Sequence, residues 1–114
     1  AVEQFETGVG ILEQSGKLKT TNLMISYTAL AQALSDAGRT AEGLRRFQQA
    51  LEIAQALGTS HTRARLKAQI DCLRPASERT AEDAAHLEQV IAELQAEDPQ
   101  DYTLRRLIAC RQAD

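Results

Sequence analysis

Aromatic residues are scarce in this chain of 114 residues: there is no Trp, and Phe and Tyr appear twice each. Val and Ile are few, and no stretch alternates apolar and polar residues, which excludes a chain of half-buried strands. Cysteine is limited to Cys72 and Cys110, too little for the disulfide framework of a small secreted domain. Positive charge is not in excess: 13 Lys and Arg face 16 Asp and Glu, a formal net charge of −3. The clustered basic face that nucleic-acid binding requires is therefore not indicated. No apolar run approaches the roughly 20 residues of a membrane span. The opening AVEQFETG lacks the charged and apolar regions of a signal peptide. The cytoplasm is then the default compartment.

Catalytic signatures are missing as well. The chain contains no HExxH, no GxSxG and no Walker-type glycine loop. His61 and His86 fall on different predicted helices, whereas a metal site needs three or four converging ligands. His86 reads as a boundary residue and His61 as a solvated or capping one. The expectation is a non-enzymatic protein with no catalytic residues, no metal and no cofactor.

What the chain does have is a helix former's alphabet of Ala, Leu, Gln, Glu and Arg, in a length that allows one domain, residues 1–114. Six helices are expected. The first covers residues 1–16, with Val2, Phe5, Val9 and Leu12 on one face. Gly8 and Gly10 inside it each cost about 1 kcal/mol against Ala, a cost usually tolerated for close helix packing. The second covers residues 21–37, with Tyr27, Leu30, Ala31 and Leu34 at helical spacing. Gly38 marks a corner, and Thr40 is placed to cap the third helix, residues 40–57, striped by Leu44, Phe47, Ala50, Leu51 and Ala54. Gly58 supplies its C-terminal stop. The fourth, residues 60–74, carries Leu66, Ile70 and Leu73 and ends at Pro75. The fifth, residues 80–95, opens on Thr80 with Asp83, an approximate capping box, and is striped by Ala84, Leu87, Val90, Ile91 and Leu94. The sixth opens on Asp98 and Pro99, is anchored by Tyr102, Leu104, Leu107 and Ile108, and stops soon after Cys110.

Alternate helices are copies. RTAEGLRRFQQALE at residues 39–52 aligns with RTAEDAAHLEQVIA at residues 79–92, an offset of 40. Phe47 meets Leu87 and Leu51 meets Ile91. The first helix aligns at an offset of 42, with Phe5 on Phe47, Val9 on Leu51 and Gly16 on Gly58. In this register the chain opens with the second helix of one repeat and closes with the first helix of another, as a slice of a longer array would; the absent initiating Met agrees with an excised or processed piece.

Residues 24–58 resemble a tetratricopeptide repeat. Tyr27 sits in the family's Trp slot, Leu30 in its Leu slot and Ala31 in the small slot where two helices touch. Leu34 takes the Tyr slot, Gly43 replaces the small Ala, Phe47 matches the Phe, and Gln55 stands where the family has Pro. The period of 40 is longer than the usual 34 or so and suits a long-helix variety. The resemblance implies an all-α, right-handed superhelical stack of antiparallel helix pairs. It also resembles arrays found in large bacterial regulators, beside STAND-type ATPase modules, LuxR-type DNA-binding domains or adenylate cyclases. In this family the first helix of each pair lines a concave groove. Mapped here, the groove holds Ile25, Thr28, Gln32, Ser35 and Asp36 from the second helix and Arg65, Ala68, Gln69 and Cys72 from the fourth. Its basic bias suits an acidic peptide or a C-terminal carboxylate, through charge-assisted hydrogen bonds from Arg; a plain solvated face is the other reading.

Cys72 and Cys110 lie 38 residues apart, close to one repeat, on equivalent helices. Stacking would bring them near each other. The expected state is buried and reduced, with a redox pair or a metal site as the other readings. The expected function is a protein- or peptide-binding scaffold within a bacterial signalling or transcriptional regulator. A small-ligand or peptide-signal sensor and a self-assembling homo-oligomer are the alternatives.

Overall fold

In a computed structural model, which describes residues 2–112, the chain is all-α: α1 (Val2–Gln14), α2 (Thr21–Asp36), α3 (Thr40–Leu57), α4 (Ser60–Leu73), α5 (Ala81–Glu97) and α6 (Tyr102–Gln112), with a single 3-10 turn at Ala76–Glu78. Local chemistry fixes the helix ends. Thr20 accepts from the Leu23 N–H at 3.2 Å and starts α2. The Thr80–Asp83 capping box forms in both directions, the Thr80 hydroxyl taking the Asp83 N–H and the Asp83 carboxylate taking the Thr80 N–H. Its copy in α3 behaves differently. Thr40 is the first helical residue rather than the cap, and Arg39 precedes it with no side-chain cap bond. Gly58 ends α3 at φ 72°, a left-handed conformation that Gly adopts without a Cβ penalty. Pro99 does not open α6. Asp98 and Gln100 form a turn, and α6 begins three residues after Pro99, where the Asp101 carboxylate accepts the Leu104 N–H at 3.2 Å.

Packing divides the chain into two compact units, Ala1–Leu66 and Lys67–Asp114, where the sequence reads as one domain. In the first unit α2 packs on both α1 and α3. Its core is Val9, Leu23, Leu30, Ala31, Leu34, Phe47, Ala50, Ile53 and Ala54, all buried. Leu44 and Leu51 are only half-buried, and Ile53 takes the inner place. The α2–α3 crossing is close because of Gly43. A Cβ added there would stand 3.0 Å from the Ala31 carbonyl oxygen and 3.3 Å from the Ser35 nitrogen, both backbone atoms that side-chain rotation cannot move. Gly43→Ala therefore forces the helices apart. Overpacking costs about 1–3 kcal/mol, and the gain in helix propensity returns about 1 kcal/mol. A net loss in stability is expected by urea denaturation, whereas a stabilised Gly43→Ala protein would mean the helices part freely.

The first helix is the exception to the copying. Only Val9 is buried in α1, and Phe5 is 41% exposed where Phe47 and Leu87 are 2% and 4%. The reason is that α1 packs mainly on α2. Gly8 and Gly10 serve no close packing within the chain: a Cβ on either would meet nothing within 4 Å.

Tyr27 ties this unit together. Its hydroxyl donates to Glu13 Oε2 at 2.5 Å, and the Arg46 guanidinium lies 5.8 Å from its ring centroid. Burial, then the Glu13 carboxylate, push its phenol from the ordinary 10.0 up to about 12. A folded pKa above the unfolded one gives stability that is complete below about pH 10 and lost as pH rises through about 12. In a phenolate absorbance titration, one tyrosine is expected near pH 12 in the folded protein, and Tyr27→Phe should remove that step.

In the second unit α5 packs on α6, and Leu87, Val90, Ile91, Leu94, Leu104 and Leu107 are all buried. Lys67 on α4 bridges to the buried Asp71 at 2.8 Å and to Asp83 at 3.1 Å, which fastens α4 to the start of α5. Hydrogen bonding to Asp71 raises the Lys67 pKa; the Thr80 backbone N–H, then Lys67, hold Asp83 below the usual carboxylate range. Cys72 and Cys110 are joined as a disulfide, with Cα atoms 5.8 Å apart, so they are neither buried and reduced nor available to a metal. The one-repeat spacing brings α4 and α6 within the Cα range that a disulfide spans.

Candidate functional site

The groove residues expected from the sequence differ in exposure. Gln69 is buried at 6% exposure and Ala68 is fully buried, so neither lines an open groove. Helix α4 has no stripe of neighbours on one side only; its inner positions Leu66, Ala68, Gln69, Ile70 and Asp71 run almost consecutively. Cys72 is spent in the disulfide, and Arg79 Nη1 donates to the sulfur of its partner Cys110 at 3.4 Å. Arg65 is half-buried. On α2, Ile25 is exposed, and Thr28 turns its hydroxyl back on the Met24 carbonyl at 2.9 Å. Ser35 faces α3 at the Gly43 crossing. Gln32 and Asp36 line a concavity.

That concavity is a different one. It is an open cleft of about 790 Å³ where α1 lies on the C-terminal half of α2. Val2 and Phe5 form its apolar side on α1. Ala29 and Ala33 on α2 and Ala37 at its C-terminal cap, spaced four apart, form the floor. Small residues at that spacing lie along one helix ridge, and beside bulky Phe5 they leave room. This was the legible signal that the sequence reading passed over.

The rim is acidic. Glu3 and Asp36 border the cleft with Arg39. Arg39 is engaged by Glu42, through hydrogen bonds of 3.1 and 2.6 Å, and stands 3.7 Å from Glu6. These bonds from Arg39 hold the Glu42 carboxyl below its ordinary value. Glu6 and Glu42 thus engage the Arg39 guanidinium, while Glu3 and Asp36 line the same cleft, the reverse of the basic groove expected.

Among the described residues, no group of three or more His, Cys, Asp or Glu side chains could hold a metal ion. Nor is any described helix long and apolar enough to cross a membrane. No protein-family model, curated protein or solved structure matches this chain, so its functional reading rests on its own residues.

Proposed function

We propose that the protein is a non-enzymatic scaffold that docks a helical segment of another polypeptide in the α1–α2 cleft. The observation that carries this is the cleft itself, with an apolar floor at Ala29, Ala33 and Ala37, Phe5 exposed beside it, and an acidic rim. Laying an apolar helix face into such a groove is a general recognition mode. The rim selects a partner with basic flanks, in place of the acidic peptide that the basic groove suggested. A small-molecule sensor is disfavoured, because sites of that kind bury most of their ligand and this cleft is open.

The parent setting, a bacterial signalling or transcriptional regulator, rests on the tetratricopeptide-like spacing of residues 24–58 and on the copied helices α3 and α5. The disulfide weighs against the cytoplasm, where thiols are kept reduced.

The test is titration of a synthetic Leu/Lys amphipathic helix, with its Leu/Glu counterpart as control, read by fluorescence anisotropy. The basic peptide should bind more tightly, with affinity falling as salt rises. Phe5→Asp should weaken it about tenfold, a loss of about 1.4 kcal/mol. Equal binding of both peptides, or no effect at Phe5, would remove the cleft from the function.

A further inference from the structure

We infer that the occupant of the cleft is the start of α6 from a second copy of the same chain, an inference that rests on the docking reading above. The observations are complementary charge and complementary relief on two different surfaces. Helix α1 carries Glu3, Glu6 and Glu13 and no basic residue. Helix α6 carries Arg105, Arg106 and Arg111; Arg111 is paired with Glu88 at 3.0 Å and the Asp101 carboxylate caps the helix, so Arg105 and Arg106 are the basic groups beside Tyr102. The first turns of α6 also present the one large apolar side chain exposed there: Tyr102, at 55%.

Tyr102 is held as a projecting knob. The Arg106 guanidinium lies 5.7 Å from its ring centroid, and Arg106 Nη1 donates to the Tyr102 hydroxyl at 3.2 Å. Arg105, also exposed, reaches Gln100 at 3.2 Å. An aromatic side chain flanked by two guanidinium groups is the relief that an apolar cleft with a carboxylate rim accepts. Tyr102 would enter over Ala29 and Ala33 beside Phe5, while Arg105 and Arg106 meet Glu3 and Asp36. Arginine suits the task, since its planar fork matches a carboxylate and its face stacks on aromatic rings.

The two surfaces are different, so the contact is head to tail. Each copy offers one cleft and one α6 knob. Unless the rotation between copies closes a ring, such contacts grow with concentration instead of stopping at a dimer.

The experiment is sedimentation velocity on the full chain over a wide concentration range, with two substitutions of exposed residues. Phe5→Asp spoils the cleft and leaves α6 intact; Tyr102→Ala spoils the knob and leaves the cleft intact. Wild type should grow in mass with concentration and disperse in high salt. Each variant alone should stay monomeric. An equal mixture should form a one-to-one dimer and nothing larger, because only one productive contact remains. Circular dichroism checks that both variants keep their helices; should Phe5→Asp unravel α1, Glu3→Lys takes its place.

A wild type that stays monomeric throughout overturns the inference, as does one that assembles while the mixture forms no dimer. If wild type is monomeric yet still binds the basic Leu/Lys peptide, the docking cleft stands and its occupant is another protein. If neither association occurs, both readings fall.

Discussion

Phe47→Ala is expected to lower stability by about 3–5 kcal/mol, the range for truncating a large core aromatic. Phe47 is 2% exposed and is the largest of the side chains wholly removed from solvent. Ile53 is buried farther round α3, but the positions nearest Phe47 on that helix are Gly43, Ala50 and Ala54, all buried and all small. They have no atoms to swing into the space, so the cavity stays open and the loss falls at the upper part of the range. The close approach at Gly43 adds to this, because two backbones already in contact cannot draw nearer to collapse the hole. The measurement is denaturant unfolding followed by circular dichroism. A shift below about 1 kcal/mol would show that Phe47 does not carry the first unit.

Breaking the disulfide should cost about 2–4 kcal/mol, toward the upper end because the bond closes a chain segment of 38 residues. The cost should be local. Helix α6 has 11 residues, shorter than an isolated helix needs to persist in water, so it depends on Leu104 and Leu107 against α5 and on the link to α4. Reductant, or Cys110→Ala, should lower the melting temperature and strip amide protection from α6. The α2–α3 hairpin should keep its protection, since neither cysteine lies in it. Unchanged melting in reductant would mean that the packing of α5 on α6 suffices alone.

How far the chain could be read in advance varies with what decides each feature. Helix existence and most of the inner positions of α2, α3 and α5 follow from apolar periodicity, which is local: Leu30, Leu34, Phe47, Leu87, Val90 and Ile91 are all core, while Leu44 and Leu51 are half-buried and Ala84 is exposed. The capping box at Thr80 was readable because its partners lie within four residues. Thr40 begins the same tetrad, but Gly43 stands where α5 has Asp83, so the reciprocal carboxylate bond is missing and the cap goes unmade. Phe5 could not be placed by periodicity. Its stripe predicts an inner face, yet exposure depends on whether a second helix covers that face, and α1 packs mainly on α2. Ala68 and Gln69 failed for a related reason: the groove was assigned by family register, while their burial depends on packing that register does not encode. The cysteines' spacing was visible, but their bond depends on Cα geometry in three dimensions.

Helices α2 and α3 meet across a corner of only Ala37, Gly38 and Arg39. Partners so near in sequence find each other with little loop entropy to overcome, and structure built from short-range contacts forms fast. During synthesis, this hairpin should therefore assemble before α5 and α6 have emerged. Later segments would then be added to a surface already in place, and a nascent chain halted after Gly58 should already resist protease across α2 and α3.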